Sequence, residues 1–131
     1  MDDDLRRTLE RDPRIAYALL FGSAARGQSH TSSDIDVAIG LAAGTTLDAH
    51  DVGSLISDLE HATGRAVDLL ILDEAPPALA YRAFRDGQMI LVRDHQALAN
   101  RKARAILEYL DFQPVEQLVV RGAIAAAARG R

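Results

Sequence analysis

Hydrophobic residues are spaced differently in different parts of this chain. Short runs in which apolar residues are continuous or alternate with other residues predict four strands. Residues 15–21 are almost wholly apolar, which is typical of a central strand covered on both faces. In the next run Ile35, Val37 and Ile39 alternate with polar or small residues, so these three side chains face one way. The predicted strands are 15–21, 34–40, 66–72 and 89–92.

Segments between these strands have features that are typical of helices. Four apolar residues within 52–59 have i, i+3, i+4, i+7 spacing and predict an amphipathic helix. Thr45 or Thr46 is expected to cap this helix, with Asp48 in its first turn. Gly64 is suited to end the helix in the left-handed conformation.

Three further helices are predicted from their boundary residues. Residues 3–11 form a short one, and Pro76 and Pro77 suit the first positions of a second. Asp94 caps a third, long helix. Pro114 lies inside this long segment and must kink or restart the helix, so residues 115–128 are expected to form a last helical piece.

Alternating helices and strands over 131 residues predict one domain, 1–131, of α/β (α+β) class. The expected architecture is a small mixed β-sheet flanked by helices, with a long helical segment over 94–131. A chain of this length need not be doubly wound.

The most informative local pattern is a small-residue turn followed by two aspartates. Gly22-Ser23 leaves the first strand, ten residues follow, and Asp34-Ile35-Asp36 opens the second strand. Side chains two apart in a strand point the same way, so Asp34 and Asp36 are expected side by side near the turn. Gly22 permits close backbone approach, and Ser23 with the following amides can donate to phosphate.

The charges of this pattern imply a divalent cation. Two like unit charges ~4 Å apart cost roughly 4 kcal/mol at an effective dielectric of about 20, so bare carboxylates would repel a triphosphate. A bound Mg²⁺ reverses this interaction, and it prefers one or two protein carboxylates together with phosphate oxygens. Mn²⁺ is an alternative ion. Arg26 could add a fixed positive charge.

A third acid lies at the start of another apolar strand. Asp68 follows Val67 and precedes a run of aliphatic residues. An aspartate there is costly to desolvate without partners, and a shared metal site would supply them. A strand-end aspartate that faces water is the alternative interpretation. The upstream pair favours the metal site.

This arrangement resembles the nucleotidyltransferases of the DNA polymerase beta superfamily, whose signature is Gly-Ser, a spacer, Asp-x-Asp and a third Asp on a later strand. The resemblance covers about residues 15–112. Residues 72–79, with Pro-Pro, and 85–91, with Arg-Asp-Gly, are weaker markers of the minimal nucleotidyltransferase (MNT) antitoxins that pair with HEPN-domain toxins.

The resemblance implies a site and a chemistry. The acids would hold two metal ions, and Asp68 is also placed to act as base. The candidate catalytic and metal-binding residues are Asp34, Asp36 and Asp68. The candidate phosphate-binding residues are Gly22, Ser23, Arg26 and Ser33. ATP is the expected substrate and pyrophosphate the leaving group.

The resemblance also implies a protein acceptor: a tyrosine of a HEPN ribonuclease toxin, modified with AMP and thereby neutralised. The helical segment 94–131 is then expected to dock this partner. Two alternatives remain. One is a small-molecule transferase of the antibiotic-modifying type, although those usually carry an added helical domain. The other is a non-catalytic antitoxin that silences its toxin by occlusion.

The composition of the chain limits the kinds of site, ligand and location that we expect. Cysteine is absent, which excludes disulfides and thiolate metal sites. Residues 1–92 carry 15 acidic and 8 basic side chains, so the catalytic part is a poor surface for a nucleic-acid strand. We therefore expect no direct nucleic-acid binding. The acidic N-terminus lacks the features of a signal peptide, and a cytoplasmic location is expected.

Overall fold

The computed structural model describes residues 2–22 and 34–120, and over 112–120 it describes the backbone alone. The elements in chain order are α1 Asp2–Glu10, β1 Ile15–Phe21, β2 Ile35–Leu41, α2 Ala49–Thr63, β3 Val67–Ile71, a short 3-10 turn Leu72–Glu74, α3 Pro77–Asp86, β4 Gln88–Val92 and α4 His95–Val120. All four predicted strands are confirmed, each within about one residue of its expected bounds.

The four strands form one mixed sheet in the order β3-β2-β1-β4. β1 pairs antiparallel with both β2 and β4, whereas β2 and β3 are parallel. Six of the seven residues of β1 are buried, as expected for the central strand of a sheet covered on both faces. The predicted small mixed sheet of an α/β (α+β) domain is thereby confirmed.

Each face of the sheet packs against its own pair of helices. On one face, the side chains of Ile35, Val37 and Ile39 join a core built with α1 and α2. On the other face, Ala38 joins a smaller core with α3 and α4. The alternation of apolar residues along β2 therefore sorts its side chains between the two cores as predicted. Within the described residues, no helix is both long and apolar enough to cross a bilayer.

The N-terminus of α2 corrects one expectation. Neither Thr45 nor Thr46 caps this helix. Asp48 is the N-cap: its carboxylate accepts the N–H of Asp51 at 2.8 Å, and the Asp51 carboxylate accepts the N–H of Asp48 at 3.1 Å. This reciprocal box satisfies two backbone donors, which a threonine three residues earlier could not reach. Gly64 ends the helix with φ +68°, as predicted.

The long C-terminal helix corrects another expectation. Asp94 caps α4 as predicted, since its carboxylate accepts the N–H of Ala97 at 3.0 Å. The helix then continues through Pro114 to Val120, with no separate piece beginning at residue 115. A proline removes a single backbone donor from a helix, and the remaining hydrogen bonds can carry the helix past it. The predicted piece beyond residue 120 lies outside the described residues.

Two glycines give a matched test of this packing. Gly40 lies in β2 directly beneath the Tyr17 ring, so the Cβ of an alanine there would overlap the ring. Gly53 lies in α2 with open space around it. We expect Gly40→Ala to lower the free energy of unfolding by about 1–3 kcal/mol, because overpacking forces the ring to move. Gly53→Ala should raise it by about 0.5–1 kcal/mol.

Urea denaturation of both variants would measure these changes. A Gly40→Ala protein as stable as the original would show that Tyr17 does not pack against Gly40 as described.

Candidate active site

The centre of the candidate site is a pair of aspartates on neighbouring parallel strands. Asp36 in β2 and Asp68 in β3 are direct register partners. The Ile35 N–H donates to the Ala66 carbonyl at 2.8 Å and aligns the starts of the two strands. Adjacent strands lie about 4.8 Å apart, so side chains of paired residues on one face must be close neighbours. The sheet therefore brings together two acids that are 32 positions apart in the sequence.

A turn at Gly22 lies directly beside this pair of aspartates. Phe21, the last residue of β1, is the register partner of Asp36, and the chain turns at Gly22 with φ +70°. A Cβ at position 22 would overlap the Asp36 carboxylate. Glycine is therefore required here both by the left-handed backbone and by the space that the carboxylate occupies. The segment that leaves β1 starts directly against Asp36.

The three acids form one cluster of negative charge. Asp36 is half-buried, while Asp34, just before β2, and Asp68 are exposed. Burial raises the pKa of Asp36, and the charges of Asp68 and Asp34 raise it further. A hydrogen bond with the Asp68 carboxyl acts in the same direction. Among the described residues, no cationic side chain lowers the pKa of Asp36. The ionised pair therefore stores repulsion that a cation would relieve.

The four candidate phosphate-binding residues are only partly placed. Gly22 lies at the turn just described. Ser23, Arg26 and Ser33 lie outside the described residues. These three assignments stay predictions from the sequence.

The donor set fits a hard divalent cation. Within residues 2–22 and 34–120, no group of three or more His, Cys, Asp or Glu side chains is arranged to hold a metal ion by itself. Mg²⁺ does not need such a cage, since it commonly binds one or two protein carboxylates and completes its shell with phosphate oxygens and water. The Asp36–Asp68 pair, beside the Gly22 turn, supplies carboxylate oxygen donors of this kind.

Two arginines outside the acid cluster have very different surroundings. Arg85 is exposed on α3, where its guanidinium is paired with the Asp86 carboxylate at 2.9 Å and lies over the Tyr81 ring. Arg101 in α4 is 6% exposed, although an arginine in a charged helix suggests a surface position. Its spacing from Leu98 and Ala105, which face the core, was the signal that could have revealed this burial.

A family comparison identifies the class of this domain. The chain belongs to the family described as Polymerase beta, Nucleotidyltransferase, whose model matches residues 3–96. This span contains the glycine turn and all three acids. No curated protein matches the chain.

Several solved structures share the fold. The chain is similar to one from a toxin–antitoxin complex with AMP-PNP (24% identity, TM-score 0.79), with 94% of this chain and 98% of that chain covered. It is also similar to a chain of an MntA–HepT toxin–antitoxin structure (22% identity, TM-score 0.73, 94% and 96% covered). A third similar chain comes from a tri-AMPylated Shewanella oneidensis HEPN toxin in complex with an MNT antitoxin (22%, TM-score 0.72, 95% and 99% covered). At these identities the likeness establishes the fold.

The repulsion between Asp36 and Asp68 should lower the stability of the metal-free protein. We expect Asp36→Asn to raise the free energy of unfolding of the metal-free protein by roughly 0.5–1 kcal/mol, because like charges directly opposite in a sheet are destabilising. The midpoint of thermal unfolding in a chelating buffer should rise by about 2–6 °C.

Asp58→Asn removes the same charge from an exposed position of α2 and serves as the control. It should change stability by no more than about 0.5 kcal/mol. An Asp36→Asn protein that is less stable than the Asp58→Asn protein would contradict the described cluster.

Proposed function

We propose that this protein is a metal-dependent nucleotidyltransferase that transfers AMP from ATP to a tyrosine of a HEPN-family ribonuclease toxin and thereby acts as its antitoxin. The observation that carries the catalytic part is the Asp36–Asp68 pair beside the Gly22 turn, within a domain of the nucleotidyltransferase family. The similar structures support the rest: one contains AMP-PNP, and another contains an AMPylated HEPN toxin with an MNT antitoxin.

The proposed reaction is in-line substitution at the α-phosphorus of ATP. The tyrosine oxygen of the acceptor forms a bond to this phosphorus, and the bond to the bridging oxygen of the β-phosphate breaks. Pyrophosphate leaves with the electron pair of the broken bond. Asp68 is proposed to take the phenolic proton, because its carboxylate is exposed at the rim of the cluster. AMP remains on the tyrosine.

The remaining site residues are proposed to position the nucleotide. Asp34, Asp36 and Asp68 would hold two Mg²⁺ ions, with Mn²⁺ as an alternative. The metal supplies positive charge that neutralises the triphosphate and the leaving pyrophosphate. Gly22, with Ser23, Arg26 and Ser33, is proposed to bind the phosphates. Positioning and charge stabilisation are the usual protein contributions to phosphoryl transfer.

The acceptor is proposed to dock on the C-terminal helical segment 94–131. The described part of α4 exposes large apolar side chains: Leu107 is 62% exposed and Leu110 53%. These two residues are three positions apart and so share one side of the helix. Neighbouring exposed leucines on one side of a helix are typical of a protein-interaction surface. A partner of HEPN type agrees with the complexes in which the similar chains occur.

Transfer itself can be tested directly with ATP labelled at the α-phosphate. In the presence of Mg²⁺ and the HEPN protein encoded beside this one, we expect label to appear on the HEPN protein. Asp36→Ala should reduce the rate of labelling by at least about a thousandfold while leaving the fold and the protein complex intact, because the cation site is lost. Asp58→Ala is the control for a lost surface carboxylate.

The outcomes separate the alternatives. Full labelling by a well-folded Asp36→Ala protein would contradict the proposed catalysis. Neutralisation of the toxin by Asp36→Ala, equal to that by the original protein, would favour occlusion. Pyrophosphate release that depends on a small-molecule acceptor and not on the HEPN protein would favour the antibiotic-modifying type.

The docking surface generates a separate prediction. Leu107→Glu should weaken binding of the HEPN protein by about tenfold or more, because it buries a charge in an apolar contact. ATP binding should not change. Gln96→Glu adds the same charge to an exposed position three turns away on α4 and is the matched control. Calorimetry of both variants measures the difference. Equal affinities of the two variants for the partner would argue against docking at this surface.

A further inference from the structure

A cavity of about 230 Å³ lies at the end of the sheet opposite the acid cluster. Tyr17 at the start of β1, Leu41 at the end of β2 and Arg101 in α4 contribute to its lining. Leu41 is five residues beyond Asp36 along β2, which corresponds to roughly 16 Å at the rise of an extended strand. The cavity is therefore distinct from the proposed transfer site.

The main feature of this cavity is an incompletely satisfied buried arginine. The Nε of Arg101 donates to the Leu72 carbonyl at 2.8 Å. Its Nη1 and Nη2 are buried and find no hydrogen-bond acceptor in the described part of the chain. A carboxylate oxygen of Glu108 is 3.8 Å from Nη1, which is too long for a hydrogen bond. Within the described residues, four buried N–H donors thus lack an acceptor, whereas native proteins normally satisfy such groups with a protein atom, a water molecule or an ion.

The charges around Arg101 favour an anion at this point. A guanidinium stays protonated in proteins, so burial leaves a positive charge here. Arg104 adds a second positive charge to the lining. The Glu108 oxygen that approaches Arg101 is 3.5 Å from Arg104 Nε and is shared between the two arginines. Asp73, an acid in the lining of the cavity, already accepts the backbone N–H of Leu41 at 3.0 Å through Oδ1.

Tyr17 adds a neutral donor to the same lining. Burial, reinforced by the charge of Asp73, raises the pKa of Tyr17 to about 12. The hydroxyl is consequently protonated at neutral pH and can donate a hydrogen bond. Asn100 also lines the cavity and carries an amide N–H₂. The polar groups available are therefore mainly donors.

We propose that this cavity is a binding subsite for a small oxyanion of the phosphate class, held by the terminal nitrogens of Arg101 together with Arg104 and the Tyr17 hydroxyl. The planar guanidinium presents two parallel N–H groups that match two oxygens of such an anion. The ligand would be free inorganic phosphate, pyrophosphate or the terminal phosphate of a nucleotide. This proposal does not depend on the proposed function.

Binding here would join three separate segments of the protein. Arg101 and Arg104 belong to α4, and both donate to carbonyls of the turn after β3, from Leu72 and Asp73 respectively. Tyr17 belongs to the central strand. An anion that satisfies these groups only in the folded state stabilises that state by mass action. The subsite would thus strengthen the attachment of α4 to the sheet.

The test follows the side-chain Nε–H resonance of Arg101 by NMR while phosphate is added to the full-length protein at constant ionic strength. The resonance is assigned from its absence in Arg101→Met. We expect a saturable shift of this resonance, and a rise in the midpoint of thermal unfolding of about 3–6 °C at ten times the dissociation constant. Parallel titrations with pyrophosphate and with metal-free ATP identify which phosphate source binds most tightly.

Two variants test whether the proposed side chains contribute to phosphate binding. Tyr17→Phe removes only the hydroxyl and should weaken phosphate binding several-fold. Lys102→Met removes an exposed charge from the neighbouring position of α4 and should leave binding unchanged. An Arg101 resonance that does not respond to any of the three anions would overturn the proposal. So would a Tyr17→Phe protein that binds phosphate as tightly as the original.

Discussion

The arrangement of this molecule depends on one electrostatic constraint: Asp36 and Asp68 are held opposite each other on parallel strands. Parallel pairing of β2 with β3 fixes their register, and the chain leaves β1 at Gly22 against the Asp36 carboxylate. Burial and neighbouring charge raise the pKa of Asp36. A sheet that keeps such a repulsive pair loses stability at this edge, and an acidic site of this kind is suited to a divalent cation that arrives with its phosphate ligand.

The rest of the fold keeps this pair in register. β1 is the buried centre of the sheet and pairs with β2 on one side and β4 on the other. The core with α1 and α2 supports one face, and the core with α3 and α4 supports the face that carries Asp36. The Tyr17 ring, packed over Gly40, fills the second core at the far end of β2. The two ends of this face thus differ in character, since one presents carboxylates and the other buried donors.

Much of this could be predicted from the sequence, because it depends on local period. The alternation around Ile35 and the apolar run of β1 predicted both strands, and the Asp-x-Asp spacing predicted that Asp34 and Asp36 lie together. Asp68 was added because of its desolvation cost and because the resemblance implies a third acid. The prediction that Thr45 or Thr46 caps α2 was wrong. The N-cap is Asp48, because it forms reciprocal hydrogen bonds with Asp51. The burial of Arg101 was not predicted, because it arises from the tertiary packing of α4 on the sheet.

The central claim is that the acid pair binds a divalent cation together with a nucleotide. The most direct measurement is a titration with Mn²⁺ followed by electron paramagnetic resonance, in the presence of a non-hydrolysable ATP analogue. The original protein is predicted to bind Mn²⁺ saturably, and Asp68→Asn to bind it at least about tenfold more weakly, because one of two carboxylate ligands is lost. Equal Mn²⁺ affinity in the two proteins would contradict the account.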